Sequence, residues 1–83
     1  MPRTLAPIQT ILRRKRVESE TGLSRSTIYL YVGKGLFPRP VRLGPRAVGW
    51  PSAEVAALNA ARIAGKSDAD IRLLVSTLEA ARR

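Results

Sequence analysis

The sequence predicts a mainly α-helical chain with one small β-hairpin and an additional helix towards its C-terminal end. Three observations carry that prediction. Ile71, Leu74, Val75 and Leu78 recur at i, i+3, i+4 and i+7, the spacing of one helix face. Glycine and serine punctuate the chain at Gly22-Leu23-Ser24, Gly33-Lys34-Gly35 and Gly65-Lys66-Ser67, residue types that end one helix and cap the next. Val41-Arg42-Leu43 and Val48-Gly49-Trp50 alternate apolar with polar or small residues on either side of Gly44-Pro45-Arg46-Ala47, as two short strands joined by a turn do.

Each element follows from its residues. Residues 1–10 hold two prolines and no periodic pattern, and are expected to form a flexible N-terminal arm. Ile11-Leu12 is expected to lie on the core as a short extended segment. The basic run Arg13-Arg14-Lys15-Arg16 leads into a short first helix, roughly Lys15 to Thr21, with Val17 and Thr21 inward. Gly22 takes positive φ at little cost and ends that helix, Leu23 plugs the angle, and Ser24 caps the next. The second helix should run from Arg25 to about Lys34, with Ile28 and Val32 inward, and stop at the paired glycines. The prolines of Phe37-Pro38-Arg39-Pro40 then hold the chain extended. In the hairpin Arg42 is expected outside and Arg46 at the tip, with Trp50 in the core beneath.

Ser52 is expected to cap a third helix, helped by Pro51 before it and Glu54 near its positive end. Val55, Leu58, Ala61 and either Arg62 or Ile63 turn one side of it inward, and Gly65 ends it. Ser67 should cap a fourth helix, with Asp68 and Asp70 in its first turn and Arg82 and Arg83 at its end, charges that suit the helix dipole. Its apolar stripe either covers the core or pairs with a second copy of the chain. The expected division is therefore an arm over 1–10, one folded unit over 11–64, and a C-terminal helix over 65–83.

Composition excludes most kinds of chemistry. A domain of 83 residues is small, burying only about 60% of the surface that its unfolded chain exposes. It has no cysteine and no histidine, which removes disulfides, the usual zinc fingers and the commonest general base. No cofactor, metal or enzymatic activity is expected. Gly65-Lys66-Ser67 resembles the end of a phosphate-binding loop, but Ala60 stands where that loop needs its first glycine. Glu18 with Glu20, and Asp68 with Asp70, lie two apart on helices and so point in different directions. No apolar run approaches the roughly 20 residues that span a bilayer, and the N-terminal residues lack the apolar core of a signal peptide, so a cytoplasmic protein with no membrane partner is expected.

The net charge of +9 is unevenly distributed. Up to Trp50 the basic residues Arg3, Arg13, Arg14, Lys15, Arg16, Arg25, Lys34, Arg39, Arg42 and Arg46 face only Glu18 and Glu20, whereas beyond it the two signs nearly balance. So lopsided a chain implies a polyanionic partner bound by its first part. The turn and helix Gly22 to Tyr29 then read as the turn and reading helix of a helix-turn-helix, and the hairpin after it as a wing. Ser24, Arg25, Ser26, Thr27 and Tyr29 supply side chains suited to base edges and phosphates. Arg14, Lys15 and Arg16 suit phosphates at the mouth of the first helix, and Lys34, Arg39, Arg42 and Arg46 complete the candidate DNA-binding set.

Three blocks in order, Thr21 to Tyr29, Phe37 to Leu43, and Arg46 to Trp50 with Glu54-Val55, resemble the AlpA family of prophage-associated regulators, within the MerR-like winged helix-turn-helix domains that include many excisionases. The resemblance covers residues 11–63. It implies a reading helix in the major groove, a wing near the backbone or minor groove, and a role in transcription or in excision of a mobile element. Double-stranded DNA is the implied partner, with an integrase beside it where the role is excision and with copies of the chain associating on repeated half-sites. The competing expectation is a protein-interaction module, such as an antitoxin or anti-activator, that uses the Ala-rich C-terminal helices and the Ile71 to Leu78 stripe.

Overall fold

Among residues 10–82, which the computed structural model describes, four helices surround a small antiparallel sheet. In chain order the elements are β1 (Ile11–Leu12), α1 (Arg14–Thr21), α2 (Arg25–Lys34), β2 (Val41–Gly44), β3 (Ala47–Pro51), α3 (Ser52–Ile63) and α4 (Asp68–Ala80). This is a winged helix-turn-helix with an additional C-terminal helix. Residues 1–9, most of the expected arm, lie outside the described residues.

The helix ends follow the local chemistry. Gly22, Gly35 and Gly65 all adopt left-handed φ near 75°, the conformation that lets a following N–H reach back to a free carbonyl. The Leu36 N–H donates to the Tyr31 carbonyl at 2.8 Å and the Lys66 N–H to the Ala61 carbonyl at 3.0 Å, closing α2 and α3 in the same way. Gly33 takes no part in this: it has no positive φ and lies inside α2. Ser24 and Ser67 cap α2 and α4, accepting from the backbone N–H groups of Thr27 and Asp70, each at 3.2 Å. Gly65-Lys66-Ser67 is thus the turn between α3 and α4.

Three expectations are corrected. The hairpin is part of a three-stranded sheet in the order β1-β3-β2, because Ile11 and Leu12 pair with Pro51 and Trp50. The ladder continues as the Ser52 N–H donates to the Thr10 carbonyl at 2.7 Å, so β3 runs directly into α3. Ser52 is consequently the first residue of α3, and its side chain caps nothing. Leu43 does not turn inward with Val41: an irregularity in the β2–β3 register between Arg42 and Gly44 leaves it exposed.

The core joins Leu12, Val17, Ile28, Leu36, Phe37, Trp50, Val55, Leu58, Ile71 and Val75. Trp50 is fully buried, edge-on to Tyr29 and Phe37 with ring centroids 6.0 Å from each. Its indole N–H donates to the Pro38 carbonyl at 2.7 Å, which satisfies the one polar group of the ring. Ile71 and Val75 enter this core while Leu74 and Leu78 pack at its edge, so the stripe of α4 is occupied within one copy of the chain. On α3, Arg62 lies over the Tyr31 ring at 5.1 Å, whereas Ile63 is exposed.

Later helices also close earlier ones. Asn59 of α3 donates to the Glu20 carbonyl at 2.9 Å, and Arg72 of α4 donates to the Lys34 carbonyl at 2.9 Å. Each supplies a partner at the carbonyl end of a helix of the turn-helix pair. Among the described residues no helix is long and apolar enough to cross a membrane.

Candidate nucleic-acid interface

The N-terminal end of α1, the exposed side of α2 and the hairpin meet around one open groove of about 440 Å³, lined by Arg13, Arg14, Lys15, Tyr29, Arg46 and Val48. Arg13 occupies the N-cap position in extended conformation, with no side-chain hydrogen bond to the helix and no acidic residue in the first turn. Four cationic residues, Arg13 to Arg16, therefore stand at the positive end of a helix dipole, where carboxylates are normally favoured. Arg14 and Arg16 gain partners one turn on, the first in Glu18 in a partly buried pair and the second in Glu20 at 2.9 Å in an exposed pair of the kind worth only a few tenths of a kcal/mol. A phosphate in the groove would supply the missing negative charge and accept from free backbone N–H groups.

On α2 the outward residues are Arg25, Ser26, Tyr29, Leu30, Gly33 and Lys34. Tyr29 is only half exposed, since its ring leans edge-on against Trp50, which fixes the aromatic wall of the groove to the core. Ser24 and Thr27 are engaged with each other: the Ser24 hydroxyl donates to Thr27 Oγ1 at 3.0 Å while capping the helix. Opposite residues of an antiparallel pair point to the same face. The pairing of Arg42 with Val48 thus sets Arg42 on the groove side of the wing, with Arg46 in the turn.

Of the candidate residues, Arg14, Lys15, Tyr29 and Arg46 share the groove. Arg16, Ser24, Arg25, Ser26, Thr27, Lys34 and Arg42 lie on the same elements without lining it. Arg39 belongs to a different cluster. Its guanidinium is 3.4 Å from Glu79 and its N–H donates to the same carboxylate at 2.8 Å, while Arg82 donates to its carbonyl at 2.8 Å. Arg82 is the hub there, donating to both carboxylate oxygens of buried Glu54 at 2.6 and 2.9 Å. Hydrogen bonding to Glu54 raises the Arg82 pKa above its ordinary value against the opposing effect of burial. Glu54 and Arg82 thus bind each other, a role beyond the helix-dipole complement expected of each.

Arg13 and Val48 line the groove but were not among the candidate residues. Arg13 was legible in principle, since it opens the basic run; Val48 became visible only through the strand register. Among the described residues no group of acidic, histidine or cysteine side chains could hold a metal ion.

Residues 10–62, from the start of β1 into the last turn of α3, match the family model described as prophage CP4-57 regulatory protein (AlpA). The chain is 48% identical over 58 residues to the uncharacterized protein ORF88 of Enterobacteria phage P4. That similarity covers 70% of this chain and 66% of the phage protein, so the chain spans about two thirds of that relative's length. No solved structure matches. The helix-turn-helix, the wing and all but the last residue of the helix that follows them fall inside the matched segment, and the chain belongs to the AlpA family of prophage regulatory proteins.

Proposed function

We propose that the chain is a sequence-specific binder of double-stranded DNA that acts on a mobile element, as a transcriptional regulator, as an excisionase, or in both roles. One observation carries this reading: Arg13, Arg14 and Lys15 crowd the positive end of α1 and face, across one groove, the Arg46 of the wing. Such an arrangement disfavours the folded chain by itself and becomes favourable around a phosphate backbone. With α1 and the wing on phosphates, α2 presents Arg25, Ser26 and Tyr29 to the base edges of the major groove. Regulation and excision draw on the same surface, since both need a protein that binds, and can bend, a particular duplex. An integrase would be the partner in excision.

The protein-interaction reading loses support, because Ile71 and Val75 of the α4 stripe are buried in the core and Leu74 and Leu78 pack against its edge. The test is binding to duplex DNA across a salt series. Log K is expected to fall with log salt at a slope of about −0.9 for each phosphate neutralised. A flat response, or equal affinity for any acidic polymer, overturns the reading.

A further inference from the structure

Leu30 is an exposed apolar residue on the side of α2 that also carries Arg25, Ser26 and Lys34. It lies two residues beyond the fully buried Ile28, which at 3.6 residues per turn carries it about 200° around α2, nearly opposite the core. It is 53% exposed and belongs neither to the core nor to the partly buried residues packed against it. Packing therefore does not require it. Two of its neighbours on the outward strip are small, Ser26 one turn before and Gly33 about one turn after, and Lys34 is the third. A Cβ on Gly33 would meet nothing within 4 Å, and its φ is not positive, so neither the turn nor the packing needs a glycine that weakens the helix. The small side chains of Ser26 and Gly33 leave Leu30 uncovered on this face, between Arg25 and Lys34 along the helix.

That combination fits one feature of duplex DNA. Among the hydrogen-bonding groups of the major groove the 5-methyl group of thymine is the projecting apolar feature, and apolar side chains contact it. We infer that Leu30 is a specificity-determining residue that selects a thymine through its 5-methyl group, at a base pair between those met by Ser26 and Lys34. The inference rests on the duplex-DNA reading above.

The experiment starts from the site that wild-type protein selects from random duplexes, and replaces each thymine in turn by uracil. This substitution keeps Watson–Crick pairing and removes one methyl group. At one thymine the wild type is expected to lose affinity by about fourfold, the value of one buried methyl-sized group. Leu30→Ala, which alters no core contact and should keep the wild-type melting temperature, is expected to bind the thymine and uracil duplexes at that position alike. Leu30→Met, which keeps an apolar tip, is expected to restore the preference. Equal wild-type affinity for every uracil duplex, or an unchanged thymine preference in Leu30→Ala, overturns the inference and leaves DNA binding standing. Absence of any salt-dependent duplex binding overturns the DNA reading and the inference with it.

Discussion

At the scale of single residues, the cationic side chains divide by what holds them. Arg25 follows the Ser24 cap on the exposed side of α2, while Arg46 sits in the wing turn. Arg25→Ala is expected to cost about 1–3 kcal/mol on the best site and to relax preference at particular base pairs, whereas Arg46→Ala should weaken all duplexes nearly alike. A binding-site selection on both variants separates the two outcomes, and unchanged site preference in Arg25→Ala would remove it from the reading set. Glu54 and Arg82 behave differently, because the carboxylate is buried and the Arg82 side chain partly so. Glu54→Ala leaves that guanidinium without its two charge-assisted bonds. A loss of about 2 kcal/mol is expected in urea unfolding, with duplex affinity of the folded protein unchanged.

At the scale of elements, two glycines make opposite predictions. A Cβ on Gly49 of β3 would lie 2.6 Å from Ile11 Cγ2 and 2.8 Å from the Leu12 carbonyl oxygen, so β1 can pair with β3 only because that position has no side chain. Gly49→Ala should push β1 away and lower stability by about 1–3 kcal/mol, read as a fall in the urea midpoint. Gly33→Ala meets no atom and removes a weak helix former from α2, so it should raise stability by about 0.5–1 kcal/mol. If α2 approaches base edges closely, the same change weakens duplex binding, and a variant more stable yet poorer at binding is the expected result. Helix α4 is an element of the core. Ile71→Ala should therefore cost about 2–5 kcal/mol and lower the unfolding midpoint of a single copy.

At the scale of the whole molecule, the charge is placed where the fold can least use it and a polyanion most can. The first fifty residues supply α1, α2 and the wing, and they hold ten of the fifteen basic side chains. The residues beyond them supply α3 and α4, which hold the turn-helix pair by closing α1 through Asn59 and α2 through Arg72. A single small module buries on the order of 600–1,000 Å² on DNA, which seldom yields high specificity alone. With the stripe of α4 occupied in one copy, the protein is expected to sediment as a monomer and to assemble as two or more copies only on duplexes with repeated half-sites. A stable dimer without DNA would count against that assembly.

Local chemistry was legible in the sequence because it acts over a few residues. The glycine C-terminal caps, the serine caps of α2 and α4, the limits of α2 and the inward spacing of α4 follow from residue types and from the 3.6-residue period. The resemblance carried by three short blocks extended that reading to the family. The joints between elements were not legible, because their partners are far apart in the chain. Glu54 and Arg82 are 28 residues apart, Arg72 and Lys34 38, and Asn59 and Glu20 39. From sequence Glu54 and Arg82 each look like a charge suited to its own helix dipole, and Ser52 looks like a cap. Only the packing of α4 against α3 brings the first two together, and only the pairing of β1 with β3 commits the Ser52 N–H to Thr10. The sequence thus determined the elements and the excess of positive charge, while the tertiary structure decided which cations face one groove and which are held in place by a distant carboxylate.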